Sequence, residues 1–266
     1  MPAPSFVGRV RFVHIAALAA CFASAVRPAG AQGKDASPPA AFSNVYLTVG
    51  TLLMDASKLN PHFERTDLDP ASRPGFYTLS DDAFAAGIGG YGVIKNRIGI
   101  GGEWNFADIG SESSPSGKTN QMTTTYAMAT AGYAVYTSWR LNVMPYLGVG
   151  VGTAKLTLLS RDGGSSVPGS QDPTFDEVIE SPGAKSVMNG SYVIVQPGIA
   201  VDLLLVGDTK STNGFSVGFR FGTSLSPNRT TWTYQGRTVF GGPDFGPSGG
   251  VVRIVAGYGG FRLAGR

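Results

Sequence analysis

Four charged residues interrupt stretches that are otherwise glycine, apolar and small: Glu103, Asp202, Arg220 and Arg253. Each sits in an alternating run, so each shares a face with glycines rather than with the apolar residues beside it. Carboxylates and guanidinium groups enclosed together are expected to pair, because breaking a buried pair leaves an uncompensated charge. Lining an open passage, the same groups would set ion selectivity. Glu103 and Arg220 each lie about six residues from a short connection. They fall on the third and seventh of the segments described below, which face each other in a ring of eight. That places an ion pair between them.

Other reactive residues are sparse. His62 is the only histidine beyond the N-terminal segment. Catalysis through it would require a serine and an acid within hydrogen-bond reach, and no serine adjoins it on a strand. It reads as a solvated loop residue, and no enzyme is expected. Asp67, Asp69, Asp81 and Asp82 form one acidic group, and Asp172, Asp176, Glu177 and Glu180 a second. Either has oxygen ligands for a divalent cation, but solvated loop charge is the simpler reading, and no metal or cofactor is assigned. Glycine-rich runs do not precede a helix, so no phosphate-binding loop is present.

The elements that position these residues follow from period-two patterning. Residues 44–53 place Val45, Leu47 and Val49 on one face and Tyr46, Thr48 and Gly50 on the other. Residues 98–107 oppose Ile98, Ile100, Trp104 and Phe106 to Gly99, Gly101, Glu103 and Asn105. Runs 141–158, 191–205, 215–225 and 250–263 alternate in the same way, with Asp202, Arg220 and Arg253 on the polar side. Segments 82–94 and 123–136 are strands whose faces stay open. Eight strands result, and no helix is expected after the N-terminal segment. Their connections alternate: 54–81, 108–122, 159–190 and 226–249 are long, whereas those near residues 95–97, 137–140 and 206–214 are short. In a meander this puts short turns at one end and long loops at the other, the layout of an outer-membrane barrel. Strands of about 10 residues or more suffice to cross a bilayer. A closed barrel pairs every backbone group, with the apolar face outward. Trp104 and Phe106 then belong to an outer aromatic girdle, and Phe215, Tyr258 and Phe261 to an inner one. The last two differ in strand parity, which calls for a bulge or a shifted last strand.

Composition agrees. The chain has 266 residues, 38 of them glycine, 15% charged and 11% aromatic, which excludes wholesale disorder. Residues 1–31 hold three arginines and no acid, then an apolar run of 12–26 and Ala29-Gly30-Ala31. This is an export signal with cleavage after Ala31. A lipobox ending at Cys21 is the alternative. Without that segment 18 basic residues face 18 acidic ones, so no basic surface remains for nucleic acid. Residues 32–43 read as a disordered spacer and 44–263 as the barrel.

Residues 145–152 (PYLGVGVG) and 196–203 (QPGIAVDL) resemble strands of small outer-membrane barrels of the OmpA, OmpX and OmpW type. The resemblance covers about residues 44–263. It implies an all-β, eight-stranded antiparallel up-and-down transmembrane barrel, an outer-membrane location, and no cofactor. It also implies contact with outer-membrane lipid and lipopolysaccharide, delivery by the barrel-insertion machinery, and a monomer. The C-terminus departs from it, since Phe261 is followed by five further residues. Such barrels are structural proteins, narrow porin-like channels or adhesins. A structural protein or narrow channel is the expectation here, with surface adhesion or ligand binding through the long loops as the alternative. A soluble barrel would need its apolar faces inside.

Overall fold

The computed structural model describes residues 39–64, 75–94, 97–114, 117–137, 140–161, 173–205, 213–228 and 230–263. The export signal, the lipobox and the first part of the spacer lie outside them. Eight antiparallel strands follow the predicted runs: β1 (Pro39–Leu53), β2 (Asp82–Ile94), β3 (Ile98–Ser113), β4 (Lys118–Tyr133), β5 (Leu141–Ser160), β6 (Lys185–Leu204), β7 (Asn213–Ser224) and β8 (Gly249–Leu263). β1 starts at Pro39, inside the stretch read as spacer. Each strand pairs with the next, and β8 returns to pair with β1 from Leu52↔Val251 down to Ala41↔Arg262. The ring is therefore closed, although residues 192–197 of β6 carry only the single bridge Val195↔Leu225 on their β7 side.

Alternation decides the faces. Val45 and Val151, at 65% and 66% exposed, point outward with Ile88, Ile100, Leu147, Ile199, Phe215 and Ile254. Tyr46, Tyr91, Glu103, Tyr126, Asn142, Gln196, Arg220 and Arg253 are buried inside. The two strands left open are settled by the same rule: β4 turns Met122, Thr124, Tyr126 and Met128 inward, and β2 turns Ala83, Ala85, Tyr91 and Val93 inward. The last strand needs no bulge. Its register with β1 runs unbroken to Arg262, and the one shift falls at Pro39/Ala41.

Three features of the loop end differ from the sequence expectations. First, the connection read as 108–122 shortens to residues 114–117. β3 and β4 continue upward past a bulge at Asp108/Gly110, and Ser114 N–H donates to Lys118 O at 2.8 Å. Second, short helices occur in the loops: α1 (Asn60–Glu64), preceded by a 3-10 turn (Ala56–Lys58), and α2 (Phe175–Glu180). Pro61 at the start of α1 needs no N–H there. Thr174 and Glu177 form a capping box on α2, which satisfies two backbone donors reciprocally. Third, the last long loop contains a hairpin, Thr231–Tyr234 with Arg237–Val239. Gln235 and Gly236 both have positive φ, as a tight two-residue hairpin turn requires.

These pieces pack together. Leu59, Phe63, Phe175, Val178, Ile179, Trp232 and Phe245 are fully or almost fully buried in one cluster with Leu156, Leu158 and Met188 of β5 and β6. The described parts of the long loops thus form a hydrophobically packed cap. β5 and β6 carry it because each has 20 residues, against the 9–11 that a bilayer takes up.

Candidate functional site

The lumen is filled by two apolar clusters and a buried charged network. A small apolar cluster near the turn end contains Phe42, Tyr46, Tyr91, Met144, Tyr146 and Leu204. The cap cluster closes the loop end. Interleaved with the turn-end cluster, and reaching the cap cluster at Met128, lie Glu103, Asp202, Arg220 and Arg253, all between 0 and 6% exposed.

The pairing differs from the sequence expectation. Glu103 does not pair with Arg220. Arg253 reaches across from β8, and its Nη2 lies 2.9 Å from Glu103 Oε2. Arg220 pairs with Asp202 on the adjacent β6, Nη1 to Oδ1 at 3.0 Å. The register explains the exchange: Arg253 and Arg220 are direct cross-strand partners. Like charges so placed repel, and each guanidinium turns away from the other toward a different carboxylate.

Tyrosines complete both pairs. Tyr46 Oη donates to Glu103 at 2.7 Å, and Tyr91 Oη donates to Asp202 at 2.6 Å. Asn142 Nδ2 donates to Tyr91 Oη at 3.0 Å. The Arg220 guanidinium also sits 4.7 Å from the Tyr46 ring centroid, a cation–π contact. Asn105 bonds to both Arg253 and Glu103. Arg253 Nε, Arg220 Nη2 and Asn44 Nδ2 find no acceptor among the described residues.

The lumen glycines raise the question of a water-filled path, and the structure shows what occupies their space. A side chain at Gly152 would strike Tyr192, and one at Gly198 would strike Tyr146. At Gly101 it would strike Tyr91, and at Gly89 it would strike Tyr46 and Glu103. Gly89, Gly152 and Gly198 make room for rings, whereas Gly101 makes room for the backbone and Cβ of its neighbours. Alternation already places Tyr46 on the glycine-bearing face; it does not tell which ring fills the space of which glycine.

The remaining predicted residues are placed as follows. Trp104 and Phe106 are exposed on the outer wall of β3. Phe215 and Tyr258 are cross-strand partners near the turn end, in an edge-to-face contact with ring centroids 5.6 Å apart. The side chain of Phe261 lies outside what is described. His62 is not a free loop residue: its Nδ1 lies 2.6 Å from Asp176 Oδ1, and its ring meets Phe175 edge-on. It ties α1 to α2. Asp81 accepts from Ala56 N–H, and Glu177 caps α2. Among the described residues no three metal-ligating side chains come together; Asp67, Asp69 and Asp172 lie outside them. His62→Ala should loosen the cap by about 1 kcal/mol, the scale of one hydrogen bond. The expected readout is faster proteolysis within the cap with unchanged gel mobility of the barrel.

No family model and no curated protein matches the chain. Among solved structures the chain is similar to Ail. The crystal structure of Ail, the attachment invasion locus protein of Yersinia pestis, aligns at 12% identity with a TM-score of 0.39, covering 84% of this chain and 98% of that one. Ail in complex with the heparin analogue sucrose octasulfate aligns at 12% identity with a TM-score of 0.38, covering 83% and 96%.

Proposed function

We propose that this chain is an integral outer-membrane protein, non-catalytic and non-conducting, whose plugged barrel anchors a folded cap that serves as a surface for adhesion or ligand binding. The observation that carries the reading is the buried Glu103–Arg253 and Asp202–Arg220 network packed among two apolar clusters. A channel would need those charges in water. The apolar outer wall of all eight strands supports the membrane setting, since soluble proteins rarely expose continuous apolar patches beyond a few hundred Å². In that setting Trp104, Phe106, Phe215 and Tyr258 act as girdle aromatics. Export by residues 1–31 and the barrel-insertion machinery would deliver the chain. Its surroundings would be lipid and lipopolysaccharide, and it would act as a monomer.

Planar-bilayer recording of the purified, heat-modifiable protein tests this. A silent bilayer is the expected result. Stable conductance steps would overturn the plugged reading and restore the narrow-channel one.

A further inference from the structure

One stretch of the outer wall is recessed. A cavity of about 520 Å³ opens there, lined by residues of β3 to β6 and by Asn228 and Thr231 of the last loop. Its origin is a change of partner along β6. Gly198 to Leu204 pair with β7, whereas Met188 to Ser191 pair with the hairpin strand Thr231–Tyr234. Between these segments β6 stays paired with β5 on one edge, while its other edge has only the single bridge Val195↔Leu225. Side chains satisfy Val193 instead: Asn228 Oδ1 accepts its N–H at 2.6 Å, and Ser226 Oγ donates to its carbonyl at 3.0 Å. A strand is replaced by short side chains, and the wall is hollow.

The register stacks the outward residues here in three tiers. The lowest runs Trp104, Ala127, Val151, Val193 and is wholly apolar. The next, toward the loop end, carries Thr125, Thr153, Ser191 and Thr231, four hydroxyls abreast on adjacent strands. Above Thr153 on the same face of β5 stands Lys155, paired in register with Thr123 and Asn189. Lys155 is exposed, and it makes no ion pair with any described residue.

We infer that this recess binds one glycerophospholipid, with its acyl chain against the apolar tier, its ester linkages at the hydroxyl tier and its phosphate at Lys155. The order of chemistry along the barrel axis matches such a lipid from tail to head. The recess is continuous with the apolar wall, so its occupant arrives from the membrane. Its volume suits a small-molecule site, about 300–1,000 Å³. A single cation favours a single phosphate over a doubly phosphorylated, many-chained lipid. The inference rests on the proposed membrane setting of the wall.

The full chain is folded in micelles containing phosphatidylglycerol, exchanged into lipid-free detergent, and assayed for bound phosphorus. Lys155→Gln removes the charge without adding bulk, Ala127→Phe fills the apolar tier, and Val45→Phe places the same ring on the opposite wall. Wild type and Val45→Phe should retain one lipid. Lys155→Gln and Ala127→Phe should bind it about tenfold more weakly, a difference of about 1.4 kcal/mol. Equal retention by Lys155→Gln and wild type, or no retention by wild type, would overturn the site. Displacement of phosphatidylglycerol by lipid A at equal concentration would overturn the assigned occupant. Failure of wild type to enter micelles or to show a heat-dependent band shift would instead defeat the membrane reading itself.

Discussion

Replacing Arg253 by methionine is expected to lower the stability of the barrel by about 3–5 kcal/mol. Arg253 is fully buried, and its guanidinium holds the Glu103 carboxylate from across the lumen. Methionine keeps an unbranched stem but leaves Glu103 charged, with only the Tyr46 hydroxyl and the Asn105 amide as hydrogen-bond donors. Relief of the repulsion between Arg253 and Arg220 offsets a small part, because the Arg220 guanidinium already faces Asp202. Urea unfolding in vesicles, followed by loss of the fast-migrating band, measures the effect. Adding Glu103→Gln to the same chain should recover much of the loss, since no isolated charge then remains buried. An unchanged midpoint for Arg253→Met alone would mean that water reaches the pair and that the lumen is not plugged.

Trp232→Ala should be about as costly, some 3–5 kcal/mol, but in a different place. Trp232 lies in the loop hairpin, 1% exposed. Its indole N–H donates to Pro243 O at 2.8 Å, and its ring packs on Phe175 with centroids 5.2 Å apart. Removing it opens a hole where the hairpin, α2 and β6 meet. The wall below is a closed ladder that does not depend on this contact. The expected result is rapid protease cleavage within the cap, while the band-shift temperature of the barrel is nearly unchanged. Equal protease resistance in the variant and the wild type would show that the loops do not form one packed unit.

The two substitutions separate the parts of the molecule that differ in legibility. Strand number, closure and the facing of six strands were readable because the pleat alternates with period two, a local property; in 82–94 and 123–136 small residues on both faces hid it. Val45, Leu47 and Val49 face outward for the same reason that Tyr46 and Thr48 face inward. The burial of Glu103, Asp202, Arg220 and Arg253 followed from the same parity.

Which of them pair did not follow. Height counted in residues from a turn locates a side chain only in an untilted barrel. Closure requires tilt and stagger, and these bring Arg253 opposite Arg220 and within reach of Glu103. The cap was hidden for a related reason. Leu59, Phe63, Phe175, Trp232 and Phe245 are scattered through three loops with no period, and only their convergence above β5 and β6 makes them a core. The lumen glycines named small residues but not the rings that fill the space above them. That depends on neighbouring strands, which the chain meets only after the ring has closed.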